Sequence, residues 1–321
     1  MDKLSNRLIS AIIVTAAIHD YFKSCVDSLK QQSYPNLEII VINNSSQQLL
    51  EPCNSDARIK SYFIGENLSY CQSLNKGIEK SRGDFILCLN DDVILDCKFI
   101  EEALRGFGVN GNIGMVSAKI LRLDKEILDS TGLFLSIYRT AKERGYGIKD
   151  KGQFEKEEYV FGVNGAVAFY RRQMLEEIKL GSEYFDSDFG FFYEDLDISW
   201  RAHNFGWKGY YIPNAVAYHI RGASVRQSKG INKKFALRYL NGQLLFDLIK
   251  NRYLVIIKNE TVLNFFLYLP LLIFYDIFIW AYILFLRPQM LKIIFSRKIP
   301  IGSAFEKRRF LRKKIALLRQ H

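Results

Sequence analysis

Asp84-Phe85-Ile86-Leu87-Cys88-Leu89-Asn90-Asp91-Asp92 reads as a short apolar run closed by two carboxylates. A continuous apolar run of this length, bounded by polar residues, is the pattern of a strand buried on both faces, as in a parallel sheet. Carboxylates at the carboxyl end of such a strand lie where open α/β sheets bind ligands. Paired oxygen donors there suit Mg2+ or Mn2+ held together with substrate phosphates. Turns favour Asp and Asn in any case, so the pair gains its weight from what surrounds it.

Upstream, residues 8–15 (LISAIIVT) read as a first buried strand. Phe22, Cys25, Val26 and Leu29 then fall at the spacing of an amphipathic helix over 20–32, which Tyr34-Pro35-Asn36 breaks. Residues 37–42 (LEIIVI) give a second strand ending in Asn43-Asn44-Ser45-Ser46, residues 58–64 a third, and 68–80 a second helix. Strands alternating with helices imply right-handed βαβ units and an α/β fold with a mostly parallel sheet flanked by helices. Substrate would bind at the carboxyl ends of these strands, where Thr15, Asn43, Asp91 and Asp92 fall.

Downstream, residues 113–117 and 160–170 are strand-like, and the charged stretch 141–158 reads as a flexible or solvated loop. Gly162 and Gly165 sit where the backbone either approaches a ligand closely or bends in a β-bulge. Phe191-Phe192-Tyr193-Glu194-Asp195-Leu196-Asp197 places three acids in four positions after an aromatic run, at a helix start. There Glu194 and Asp197 share a face while Asp195 points elsewhere, which leaves one carboxylate to face a cleft. The plain alternative is a helix capped by acids that complement its dipole. Trp207 is either a stacking surface for a ligand or a core or rim aromatic. Residues 210–219 bring the chain back across the site and end in His219, a ligand or a satisfied core histidine. Arg226, with Ser224 nearby, lies in a polar loop beyond it, either closing over a diphosphate or simply on the surface.

The chain has 321 residues, with 49% apolar and 25% charged residues, and so can bury a sizeable core. Met1–Arg7 is polar and the apolar run after it is short, so no signal peptide is expected. The five cysteines form no CxxC, which points to a reducing cytosolic compartment. Net charge is +11 but uneven: from Arg287 to His321 eleven Lys/Arg face one acid, Glu306. A near-neutral body with a basic tail suggests an anionic surface and argues against nucleic acid.

Residues 233–258 carry apolar residues at helical spacing, broken by Lys and Arg. Residues 261–286 follow with only Asn264 and Asp276 strongly polar. As helix this stretch would be about 39 Å long, enough to span a bilayer. Pro270 would kink it, and Asp276 is costly in hydrocarbon. A buried helix of a soluble protein is the alternative. Basic residues flank both ends, which favours a segment that enters and returns, or helices lying in the cytosolic interface, over a single crossing. The basic tail would rest on anionic lipid.

Five blocks in order carry a resemblance: IIVT, SLKQQSYPNLEIIVINNSS, GENLSYCQSLNKGIEKSRGDFILCLNDDV, VNGAVAFYRR and FFYEDLDISWRAHNFGWKGYYIPNAVAYH. Over about residues 8–225 the chain resembles the family 2 glycosyltransferases of GT-A fold, and most closely the bacterial rhamnosyltransferase-like (WbbL-type) branch. The resemblance implies a catalytic domain at 1–228 and a helical membrane-associating region at 229–321. It implies that Thr15 and Asn43 contact the nucleotide and that Asn75, with Asn67 more loosely, lines its cleft. Asp91 and Asp92 take the family's DxD position, with Asp92 and His219 as metal ligands, and Asp195 is the catalytic base. Glu194, Asp197, Gly165 and Trp207 would serve the acceptor, and Arg226 the diphosphate. The chain departs from many relatives at Ala16-Ala17, at Asn43 and at Asn90.

The expected activity is inverting, Mg2+- or Mn2+-dependent transfer of a sugar to a lipid-linked saccharide at the cytosolic face of a membrane. The donor is a nucleotide-diphospho-sugar, dTDP-rhamnose first and a UDP-hexose second. A non-catalytic membrane scaffold and a nucleic-acid-binding protein are the readings from other classes.

Overall fold

A computed structural model describes residues 4, 6–17, 20–45, 56–66, 68–220 and 237–318. The elements run β1 (Ile9–Thr15), α1 (Asp20–Lys30), β2 (Leu37–Asn43), β3 (Ile59–Phe63), α2 (Tyr70–Lys80), β4 (Phe85–Asn90), β5 (Val93–Leu95) and α3 (Phe99–Val109). Next come β6 (Ile113–Arg122), β7 (Leu128–Ser130), β8 (Leu133–Leu135), β9 (Ala141–Glu143), β10 (Glu158–Val160), β11 (Val167–Arg171) and α4 (Arg172–Ile178). The chain continues with α5 (Glu194–Asn204), β12 (Lys208–His219), α6 (Gly242–Asn259), α7 (Val262–Leu286), α8 (Gln289–Ser296) and α9 (Ile301–Leu318).

The main sheet has the order β10-β12-β6-β11-β4-β1-β2-β3, with β5 on β12 and β7 on β6. β1, β2, β3 and β4 pair in parallel, as the alternation of strands and helices requires. Beyond β4 the sheet is mixed, because β11 runs antiparallel to both β4 and β6. β6 and β12 are again parallel to each other. The carboxyl ends of β1, β2, β4, β6 and β12 therefore lie along one edge.

Alternate residues of β1 face opposite layers, and both layers are covered. Ile9, Ala11 and Ile13 pack with α1 and α3. Ile12 packs with α2, α4, α5 and residues Leu254–Ile256 of α6. Phe85, Phe107 and Phe169 meet at centroid distances of 4.6, 6.1 and 5.2 Å. Such pairs contribute about 0.5–1.5 kcal/mol each beyond burial. A capping box between Ser69 and Gln72 fixes the start of α2.

One expectation is corrected and another is borne out. The strand predicted over 160–170 is broken: β10 ends at Val160 and β11 begins at Val167. The Asn164 amide oxygen accepts from Ala166 N–H at 2.8 Å, the local turn chemistry that competes with a ladder. The stretch 141–158 is exposed or half-buried throughout, as expected of a solvated loop, but it carries local structure. β9 pairs with β8, and the Arg144 guanidinium lies 4.8 Å from the Tyr211 ring centre and donates to Thr131 O at 2.7 Å.

The C-terminal helices share the core of the sheet region. Leu254, Val255, Ile256, Leu272 and Ala304 belong to the same apolar cluster as Ile12 and Leu196. α7 is the one described helix long and apolar enough to cross a membrane, with a mean hydropathy of 2.1 over its best window. One of its faces packs on the protein through Leu272 and Ile283, and the other exposes Leu263, Phe266, Leu267, Ile277, Phe278 and Phe285. Asp276 is satisfied by Arg252 of α6 at 2.6 Å. The basic tail is partly engaged in packing: Lys307 pairs with Asp186 and with Asp188, the latter at 2.7 Å, and Lys314 donates to Glu176 O at 3.2 Å.

Candidate active site

Four strand ends converge on the carboxyl edge. The Thr15 hydroxyl donates to Asp91 Oδ2 at 2.7 Å, tying the end of β1 to the turn after β4. The Asn43 side-chain oxygen accepts from Ser45 N–H at 3.0 Å and Ser45 Oγ–H at 2.6 Å. Tyr70 O–H donates to Asn90 Oδ1 at 2.9 Å, so the Asn in place of an acid serves a hydrogen bond that orients α2 on the strand end. Asp92 and His219 lie together, with His219 Nε2 3.2 Å from Asp92 Oδ1, and Ile220 N–H donates to Asp92 O at 3.0 Å.

The other ring nitrogen, His219 Nδ1, lies 2.9 Å from Asp129 Oδ2. Burial alone would lower the His219 pKa, but its bonds to Asp129 and Asp92 overcome this and raise it to about 9. Asp129 sits in β7, fully buried, and sequence reading missed it. A lone acid in a three-residue strand gives no signal until the partner across the sheet is known.

On the other side, Asp195 opens α5. Its Oδ1 accepts from Leu196 N–H at 2.7 Å and its Oδ2 from Gly165 N–H at 3.1 Å. Phe192 and Tyr193 before it carry φ of 70° and 72°, a left-handed conformation rare in aromatic residues. Such backbone costs about 1–3 kcal/mol per residue and persists only where the surroundings impose it. Here Asn251 of α6 donates to both Phe191 O and Phe192 O at 2.8 Å. Burial raises the Asp195 carboxyl above its usual range, and burial with the Asp195 charge raises Glu194.

A cβ on Gly165 would stand 3.2 Å from Glu194 Oε1 and 3.5 Å from Asp195 Oδ2, and one on Gly162 only 2.2 Å from Ser199 Oγ. The close approach at both glycines is thus to α5. Glu143 of β9, also missed by sequence reading, links the two halves: it accepts from Ser130 Oγ–H and, at 2.9 Å, from Asn164 Nδ2–H. A chain of contacts so runs from Asp92 through His219, Asp129, Ser130, Glu143 and Asn164 to Gly165 and Asp195.

Three predicted site residues stand elsewhere. Asn75 was expected to line the nucleotide cleft; its amide donates to Phe185 O at 2.8 Å and accepts from the N–H groups of Tyr184 and Phe185 at 3.0 and 2.8 Å. It pins the segment leading to α5. Asp197, expected to orient the loop or bind acceptor hydroxyls, is buried between Arg201, Lys258 and Asn259 at 2.9, 2.9 and 2.8 Å, in keeping with the first role. Of the two readings of Trp207, stacking surface or core aromatic, the structure shows the second: it is bonded to Glu177 at 2.8 Å in the core. It precedes Lys208, which pairs with Ile113 at the opposite edge of the sheet. Arg226, Ser224 and Asn67 lie outside the described residues.

The Asp92–His219 pair fits a small divalent ion that would displace the proton held between His219 Nε2 and Asp92 Oδ1. Two cis ligands at about 2.1 Å on an octahedral ion stand about 3 Å apart, close to the separation of these donors. Asp129 behind the imidazole is the carboxylate that typically orients a metal-bound histidine. Among the described residues no group of three His, Cys, Asp or Glu side chains is placed to hold a metal ion. Mg2+ and Mn2+ commonly take one or two protein ligands and complete their shells with phosphate and water.

A mixed sheet flanked by helices, with acids at the carboxyl edge and a second acid at the start of α5, is the GT-A architecture of glycosyltransferases. The chain belongs to glycosyl transferase family 2, whose family model matches residues 10–179. It is 26% identical over 225 residues to the putative glycosyltransferase EpsH of Bacillus subtilis, covering 66% of this chain and 60% of that one. It is 25% identical over 235 residues to the amylovoran biosynthesis glycosyltransferase AmsB of Erwinia amylovora, covering 67% and 71%. The fold is similar to GalNAc-T7, solved with UDP, GalNAc and Mn2+, at a TM-score of 0.58 and 14% identity over 78% of this chain and 48% of that one.

Proposed function

We propose that the protein is an inverting, divalent-cation-dependent glycosyltransferase that moves a sugar from a nucleotide-diphospho-sugar to a lipid-linked saccharide in cell-surface polysaccharide synthesis. The observation that carries the reading is the Asp195 carboxylate, fixed by two backbone N–H groups beside Glu194 and joined by a contact chain to Asp92 and His219. A carboxylate raised by burial is the better base. Asp195 takes the proton of the acceptor hydroxyl as that oxygen attacks the anomeric carbon from the face opposite the leaving diphosphate, which inverts the centre. Gly165 and Leu196 hold the base in line, and Glu194 binds a neighbouring acceptor hydroxyl. Thr15, Asn43 and Asp91 line the nucleotide side. Asp92 and His219 hold the divalent ion, which when bound neutralises charge developing on the diphosphate.

The membrane part of the reading rests on α7. Its inner face is fastened to the body by Asp276–Arg252 and by Tyr275 stacked 5.7 Å from Tyr138. A helix fastened at mid-length, with apolar residues exposed over its first turns and its last, suits an in-plane position, its apolar face in the bilayer, better than a crossing. Buried free thiols at Cys25, Cys71 and Cys88 fit the cytoplasmic side. The dTDP-rhamnose donor rests on the resemblance of the five sequence blocks. A UDP-sugar is the second reading, favoured by the UDP in the similar GalNAc-T7 structure.

The test is nucleoside diphosphate release from dTDP-, UDP- and GDP-sugars with membrane lipid extract as acceptor, with Mn2+ or Mg2+ and with EDTA. Turnover of one donor, lost with EDTA and in Asp92→Ala and Asp195→Asn, is expected. No turnover and no donor-induced thermal shift would leave the scaffold reading.

A further inference from the structure

A second site lies at the far end of the catalytic helix. A cavity of about 160 Å³ opens between the carboxyl ends of α5 and α6, the start of α7 and one face of α9. Since α5 has 11 residues, the cavity is about 15 Å from Asp195, and none of the site residues described above except the Asp197 partners Arg201, Lys258 and Asn259 reaches it. That volume holds about five waters.

Its walls are cationic. Arg201 and Lys258 form the inner wall and are already paired with buried acids. Arg308 and Arg312, one turn apart on α9, form the outer wall. Arg308 donates to Ile257 O at 2.5 Å, which fixes its guanidinium at the rim. Arg312 has no protein acceptor among the described residues. The lining carboxylate, Glu260, is taken by Arg139. Burial and the neighbouring Arg312 charge both hold Arg308 below its usual pKa, a repulsion that an anion between the two would relieve. At the lip stands Thr261, followed by the exposed apolar residues Val262, Leu263 and Phe266.

We propose that this cavity binds the phosphate of an anionic phospholipid, with Arg308 and Arg312 as its ligands and the first turns of α7 against the acyl chains. The assignment rests on the reading of α7 as bilayer-embedded. A planar guanidinium can grip a phosphate through two hydrogen bonds, which an ammonium cannot reproduce. Attraction of a basic surface to an anionic one, in contrast, depends on charge alone.

The full chain is tested by flotation with phosphatidylcholine vesicles, with and without phosphatidylglycerol. The expected result is stronger binding of the wild type to the anionic vesicles. Arg312→Lys, which keeps the charge, should lose about tenfold of that preference, while Lys313→Ala on the same helix should lose about fivefold or less. Unchanged melting temperatures of both variants exclude a folding defect. Wild-type binding by Arg312→Lys overturns the site and leaves the membrane reading standing. Wild-type failure to bind either vesicle overturns both. Release from anionic vesicles by inorganic phosphate, but not by chloride at equal ionic strength, is expected of a site that grips the lipid phosphate, whereas equal release by both would leave charge attraction alone and overturn the site.

Discussion

Asp195 and Asp197 are two residues apart and have different fates. Asp195 accepts from backbone N–H groups at the site edge, while Asp197 is locked among Arg201, Lys258 and Asn259. Asp195→Asn keeps the shape and removes the base, so kcat should fall about 10²–10⁴-fold with donor binding retained, as single-turnover and donor-titration measurements will read. Gly165→Ala brings a methyl to 3.2 Å from Glu194 Oε1. It should cost about tenfold or more in kcat with little change in melting temperature, because small displacements of a base are costly. Asp129→Asn weakens the partner that orients His219, and Mn2+ affinity, measured by isothermal titration, should drop about 10–100-fold.

At the scale of elements, the segment before α5 is held from behind by helices far along the chain. Asp186 pairs with Lys258 of α6 and Lys307 of α9, and Lys250 donates to Asp188 O at 2.9 Å. Lys258→Met removes one of two cations from both Asp186 and Asp197, while Lys307 and Arg201 remain, so it should destabilise the fold by about 1–3 kcal/mol in denaturant titration. Burial would raise the Asp186 carboxyl, but the two lysines overcome it and hold it well below its ordinary 3.8. A depressed acid contributes fully above its unfolded value and loses that contribution as pH falls through its folded one. Near-UV circular dichroism should therefore hold constant from neutral pH down to about 4 and change only below, and Asp186→Asn should abolish that part of the acid transition.

What was legible in the sequence follows the same division. The runs at 8–15, 37–42 and 84–89 are apolar on both faces, so the parallel half of the sheet could be read directly, and with it the edge that holds Thr15, Asp91 and Asp92. β11 could not be placed, because nothing local says that a strand will insert antiparallel between β4 and β6. Asp129 and Glu143 were hidden in three-residue strands, and the side chains they meet, His219 and Asn164, belong to other elements or loops. Asn75, Asp197 and Trp207 lie inside informative blocks, yet their side chains pack those blocks together, which for Asp197 and Trp207 is the plainer of the two roles the sequence left open. Their burial depends on α4, α6 and the 184–185 segment, which a linear pattern does not reveal.

For the whole molecule, the apolar face of α7 and the carboxyl edge of the sheet are joined through α6. Arg252 grips α7 by Asp276, and one residue earlier Asn251 grips the backbone of Phe191 and Phe192. Phe266 and Phe278 are both largely exposed, so replacing them with Glu should abolish vesicle flotation while changing stability by no more than about 1 kcal/mol in denaturant titration.

That arrangement also sets an order in time. A ribosome delivers Asp91, Asp92, Asp195 and His219 well before Lys258, and Lys258 before Lys307. On the proposed roles, the nascent chain holds Asp92 and Asp195 while the backbone at Phe191 and Phe192 still lacks the Asn251 clamp, so the site can be complete only after the helices that fasten the turn before α5 have emerged.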